Sequence, residues 1–270
     1  MPTRRRSLKS IHRNPPIPVI YKCPIEIFDE IFSVACTDGG ATGRSLSAVS
    51  KRICEVSKGF KYHTLVVQQH QLRSLAVVLR SLPLSARRVV RLAIHSESST
   101  PLEDRFFDTD KNRVLALVAH SLCILEVVAN RAQFLLPITL PSLRDLTLHG
   151  EVTTEKLTKR NMACYPALKH FHLKDAYIEG ERIPLFPPIT RVAPTLEVFK
   201  LSPSERFYGI LPAIKDFLQK SPSLKIVLCS TYMNYSAINA FAKSHKQITV
   251  EESQVFNLYG INGRYSCNGE

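Results

Sequence analysis

Two rhythms of apolar and polar positions divide the chain. After Pro24, a residue tolerated in a first helical turn, Ile27, Phe28, Ile31, Phe32 and Ala35 recur at three- and four-residue spacing and predict a helix. Thr37, Asp38, Gly39 and Gly40 end it. A second stripe of Leu46, Val49, Ile53 and Val56 falls at i, i+3, i+7 and i+10, which predicts one further helix. A short apolar strand over 62–67 follows. Leu72, Leu75, Ala76, Leu79 and Leu82 then predict a third helix, which Pro83 stops.

Beyond Pro83 the rhythm changes to a recurring phrase, L-x-x-L-x-L, with substitutions among large apolar residues. Its clearest copies are Leu143, Leu146 and Leu148, then Leu168, Phe171 and Leu173, then Leu196, Phe199 and Leu201. Weaker copies are Val89, Leu92 and Ile94, Leu122, Leu125 and Val127, and Leu224, Val227 and Cys229, with a trace at Ile248 and Val250. The first positions, 89, 122, 143, 168, 196 and 224, give steps of 33, 21, 25, 28 and 28 residues, irregular but of repeat size. Pro141, Pro166, Pro194 and Pro222 each stand two residues before a phrase's first leucine. Helical spacing recurs between phrases at 114–120, 210–218 and 235–242. Strand alternating with helix implies a parallel sheet with helices on one flank. The expected fold is α/β: a small all-α module, then an irregular leucine-rich-repeat solenoid.

The same alternation assigns faces. With Leu146, Leu148, Phe171, Leu173, Phe199 and Leu201 turned inward, Asp145, Thr147, His149, His170, His172, Lys174, Val198, Lys200 and Ser202 turn outward, with Arg91 and His95 further away. His149, His170, His172, Lys174 and Lys200 make this stripe basic, so they are the candidate substrate-binding residues. An acidic or phosphorylated protein segment is the expected ligand, and histidines of ordinary pKa would add charge as pH falls.

Composition changes the picture little. The 270 residues are 44% hydrophobic, enough for a sizeable core, with a net charge of +13. Part of that excess is local, because Arg4, Arg5, Arg6, Lys9, Arg13 and Lys22 all precede the first acidic residue, Glu26. Residues 1–17 are expected to form a disordered basic tail and 256–270 a C-terminal tail. No run reaches about 18 apolar residues, since even 114–129 contains His120 and Glu126, so no membrane association is expected. An intracellular protein, cytoplasmic or nuclear, follows as the expectation.

The seven cysteines are dispersed without a CxxC, consistent with reduced thiols. Cys164 precedes His170 and His172, but a lone HxH lacks the second close pair that zinc sites draw upon, so no metal or other cofactor is expected. The glycine-rich TDGGATGR segment follows a helix and lacks the Gly-Lys-Ser/Thr of a phosphate loop. Neither GxSxG nor HExxH is present, and no catalytic residue is expected.

The segment CPIEIFDEIFSVA, followed by SLSAVSKRICEVS and FKYHTLVV, resembles the F-box family, and above all its large fungal branches, over about 18–67. Pro24, Ile25, Ile27, Phe28, Ile31, Leu46, Val49, Arg52 and Ile53 stand at matching positions. Cys23 stands where the family favours leucine. The resemblance implies an adaptor-docking module at 18–67 and a recognition domain at 68–255. Pro24, Ile25, Ile27, Phe28, Ile31, Leu46, Val49 and Ile53 would then bind a Skp-type adaptor, and through it a cullin scaffold. The function implied is substrate recognition within an SCF-type ubiquitin ligase, with no chemistry of the chain's own. Two other readings stay open: a basic nucleic-acid-binding protein, for which the scarcity of aromatic platforms beside Lys and Arg is unfavourable, and a repeat protein outside any ligase.

Overall fold

The computed structural model describes residues 23–96, 101–133, 136–153, 164–176, 186–203, 211–230 and 235–252. Both expected tails lie outside them, as do the first residues of the 18–67 module.

Three short helices come first: α1 (Ile25–Ala35), α2 (Ala41–Ser47) and α3 (Lys51–Ser57). The Leu46–Val56 stripe therefore does not form one helix. Ser50 adopts an extended backbone (φ −162°, ψ 162°), and its side chain accepts a hydrogen bond from the Ile53 N–H, which caps a new helix and leaves Val49 in the break. The glycine-rich segment is also more ordered than a loop, because α2 begins within it at Ala41. Asp38 accepts from the Thr42 N–H at 2.9 Å and the Thr42 hydroxyl at 2.6 Å, which holds its carboxyl below the usual range. Gly39 and Gly40 make the turn at φ of 70° and 93°, a region that favours glycine.

Next come β1 (Thr64–Gln68), α4 (Leu72–Ser81), β2 (Arg91–His95), α5 (Pro101–Val118), β3 (Ile124–Gln133), β4 (Asp145–Thr153) and β5 (His170–Ala176). The chain continues through α6 (Phe186–Val192), β6 (Val198–Pro203), α7 (Leu211–Lys220), β7 (Lys225–Ser230), α8 (Tyr235–Lys243) and β8 (Ile248–Glu252). All eight strands lie in one parallel sheet whose spatial order is the chain order. The strand foreseen over 62–67 is thus the first strand of this sheet, paired with β2.

A repeated turn explains the regular strand entries. Leu143, Leu168, Leu196 and Leu224 donate their N–H to the carbonyls of Leu140, Tyr165, Ala193 and Ser221, three residues earlier. Pro141, Pro166, Pro194 and Pro222 occupy the second position of these turns, where a fixed φ near −65° is pre-set. Side chains then link successive turns: Ser142 Oγ donates to His120 O at 2.9 Å, Thr195 Oγ1 to Pro166 O at 2.7 Å, and Gln247 Nε2 to Pro222 O at 2.6 Å. At the entries to β2 through β6 two consecutive N–H groups converge on one carbonyl ahead of the preceding strand. Arg144 and Asp145 use Cys123 O, Lys169 and His170 use Arg144 O, and Glu197 and Val198 use Lys169 O.

Inward strand residues share one core with the helices, including Leu72 and Leu79 of α4, Val114 and Leu115 of α5, and Ile214 of α7. Phe171 and Phe199 meet edge to face within it, with ring centroids 5.6 Å apart. The seventh strand departs from the expected phrase. Leu228 pairs with Leu201 and Ile226 with Phe199, so Ile226 and Leu228 are the inward pair and Val227 lies on the opposite face beside Lys200. The phrase is one residue shorter here, and in a strand a single-residue shift exchanges the two faces.

Phe28, Phe32, Cys36, Ile53 and Phe60 form a second, smaller core among the N-terminal helices, with Cys23, Leu46 and Val56 packed on it. Buried His63 bridges toward the sheet: its ring lies 5.8 Å from that of Phe60, and its carbonyl accepts the N–H groups of Val90 and Arg91.

Candidate functional site

Two surfaces carry the residues singled out in the sequence. The first is α1. Glu26 in its first turn suits the positive end of the helix dipole, and its apolar positions cover more than one face. Phe28 and Phe32 turn into the small core, while Ile27, Ile31 and Val34, at i, i+4 and i+7, remain 43%, 52% and 76% exposed. Ile25 and Val49 are exposed as well, and so is Pro24.

Two residues expected on this docking surface are interior instead. Phe28 and Ile53 are almost fully buried, so they support the helix from beneath. Leu46 is partly buried against the same core. Val34 was not anticipated, though its place one turn beyond Ile31 was the available signal. Cys23 packs on the core, and its carbonyl accepts a hydrogen bond from Arg52 at 3.2 Å.

The second surface is the sheet face away from the helices. Thr147, His172 and Lys200 form one cross-strand row, and His149, Lys174 and Ser202 the next. Asp145 and His170 pair in the row before, beside Val198. The five candidate residues of this stripe therefore lie on three neighbouring strands of one face.

Carboxylates offset part of the basic charge expected of this stripe. The His170 ring nitrogen Nδ1 meets Asp145 at 2.6 Å. His149 Nε2 lies 2.9 Å from a Glu126 carboxylate oxygen, outside the line of a good hydrogen bond. This histidine contact, with lesser help from the charges of His95 and Lys174, holds the Glu126 carboxyl below its usual range against the opposing effect of burial. Lys200 reaches across to pair with Glu251 of β8, and that contact raises its pKa. Lys174 has no ion-pair partner among the described residues.

His172 also departs from its expected behaviour. Its Nε2 sits 2.9 Å from Ser202 Oγ, and burial, reinforced by the charges of Lys200, His149 and Lys174, pushes its pKa down to about 4. This ring stays neutral in mild acid. Sequence periodicity placed these residues correctly on one face, but it does not report contacts between strands, so the acidic partners on β3 and β8 were missed. Glu126, in the outward slot between Leu125 and Val127, was the legible part of that signal.

Among the described residues, no group of three or more His, Cys, Asp or Glu side chains could hold a metal ion, and no helix is long and apolar enough to cross a membrane. No family model, no curated protein and no solved structure matches this chain.

Proposed function

We propose that this chain is a substrate-recognition subunit of an SCF-type ubiquitin ligase, with an F-box module docking a Skp-type adaptor and an irregular leucine-rich-repeat solenoid binding a protein substrate. One observation carries the reading: α1 sinks Phe28 and Phe32 into its own core yet leaves Ile27, Ile31 and Val34 as an exposed aliphatic ridge. A contiguous apolar ridge on so small a unit favours a protein partner. The ordered resemblance from Pro24 to Ile53 supports a Skp-type adaptor as that partner. Support for the solenoid comes from the agreement of strand order with chain order and from the turn repeated at Pro141, Pro166, Pro194 and Pro222.

The open sheet face is the substrate surface in this reading. Cations interleaved with Asp145, Glu126 and Glu251 suit a protein segment carrying both signs of charge better than a phosphodiester backbone, which rewards an uninterrupted cationic track. Co-purification with a Skp-type adaptor tests the assignment. The wild-type chain should retain the adaptor. Ile27→Asp/Ile31→Asp should lose it, because two unpaired charges in a desolvated contact each cost several kcal/mol. A folded double variant that keeps full adaptor binding would refute the docking assignment.

A further inference from the structure

A third surface lies on the helical side, between α4 and α5. Arg73, Ala76, Val77, Arg80, Asp110 and Arg113 line a groove of about 240 Å³ there. Arg73, Val77 and Arg80 follow one another at i, i+4 and i+7 along α4, so two guanidinium groups flank an aliphatic side chain. Val77 is 65% exposed. On α5, Arg113 pairs with Asp110 at 3.0 Å, and exposed Phe106 lies on the same helical face as both. Neither Arg73 nor Arg80 has an ion-pair partner among the described residues. The groove thus combines a small apolar floor with three arginines against one carboxylate.

We infer that the α4–α5 groove binds an acidic segment of a partner protein, one that inserts an apolar side chain over Val77 and sets carboxylates against Arg73 and Arg80. Charge complementarity fixes the sign of the partner, and arginine's planar fork suits carboxylate bidentately. The dimensions fix its class. Seven residues of helix separate the two arginines by about 10 Å, the reach of carboxylates roughly three residues apart on an extended peptide. The cavity is below the ~300 Å³ at which drug-sized and cofactor pockets begin, yet it accommodates a side chain. A nucleic-acid backbone would gain nothing from the exposed Val77 and Phe106, whereas an amphipathic acidic peptide covers both. This surface is separate from the α1 ridge and from the open sheet face, so it does not depend on the ligase reading.

Fluorescence anisotropy with the full-length chain and a labelled Glu-Glu-Ile-Leu-Glu-Glu peptide tests the inference. Saturable binding should weaken with added salt and fall at least tenfold in Arg73→Glu/Arg80→Glu. Val77→Asp should lower it to a similar extent, and both substitutions sit at exposed positions, so thermal melts should stay close to wild type. If the double Glu variant does not fold, Arg73→Gln/Arg80→Gln carries the same test with a threefold loss expected. A Gln-for-Glu peptide should not bind, and Lys243→Glu, at an exposed position of α8 beside the far edge strand β8, should leave affinity unchanged. The inference is overturned by absence of saturable binding, by indifference to the α4 substitutions, by equal binding of the Gln peptide, or by a single-stranded oligonucleotide that occupies the groove more tightly.

Discussion

Truncations along α1 separate its two faces quantitatively. Phe28 is almost fully buried in a core of five residues, so Phe28→Ala should cost about 3–5 kcal/mol. A core that small has little to spare, and the loss should appear as rapid amide exchange across α1 to α3 while the sheet stays protected. Ile27 and Ile31 are each about half exposed, so alanine there should cost the free protein about 1 kcal/mol or less apiece. Their exposed halves become useful only on docking. Burying them should contribute about 1 kcal/mol each, so Ile27→Ala/Ile31→Ala should weaken adaptor binding by about 2 kcal/mol, roughly thirtyfold in Kd. Hydrogen exchange by mass spectrometry reads the first effect, and titration calorimetry with purified adaptor reads the second. The reasoning fails if the double alanine variant destabilises the helices as much as Phe28→Ala does, or if it binds adaptor like the wild type.

Three further outcomes follow from the sheet. Folding holds His172 neutral with its pKa near 4, so the unfolded chain takes up its proton first as pH falls below about 6.5. Stability should drop between pH 6.5 and 4 by up to about 3 kcal/mol from this group, less solvent screening, with burial of His63 acting in the same direction; His172→Gln should flatten the melting profile over that range. The buried Tyr165 hydroxyl donates to Leu136 O at 2.7 Å, so Tyr165→Phe should cost about 1–3 kcal/mol in denaturant titrations by leaving that carbonyl without this donor. Lys200→Glu sets like charges together by replacing the partner of Glu251, and it should lower stability by about 1 kcal/mol; Lys174→Glu, with no described ion pair to lose, should change it by less than about 0.5 kcal/mol in parallel melts.

Apolar periodicity alone marked the strands, most of their spacing and the faces of the phrase strands except β7. Large apolar residues at fixed offsets have one way to be buried in an extended segment, and a proline two residues ahead of each leucine marks the turn that feeds it. Comparing observed partners, Arg91 to Ile124, Ile124 to Asp145, Asp145 to His170 and His170 to Val198 repeat the expected steps of 33, 21, 25 and 28 residues. The next step, Val198 to Lys225, is 27 where 28 was expected, because both Val227 and Ile226 satisfy a hydrophobic template and only pairing with Phe199 chooses between them. Likewise, a stripe through Leu46 and Ile53 could not reveal the break at Ser50, since one capping hydrogen bond outweighs a weak local preference for continuing the helix.

Everything that depends on contact between distant segments was decided by the tertiary structure. Along α1, Ile27, Phe28, Ile31 and Phe32 are indistinguishable as apolar residues, and only the positions of Ile53 and Phe60 select which two are core and which two stay exposed. On the open sheet face, His149 acquires Glu126 from β3 and Lys200 acquires Glu251 from β8, 23 and 51 residues away in the chain. Periodicity reports which way a side chain points. Charge balance and pKa depend on what stands opposite it, and in a parallel sheet that neighbour always comes from another strand.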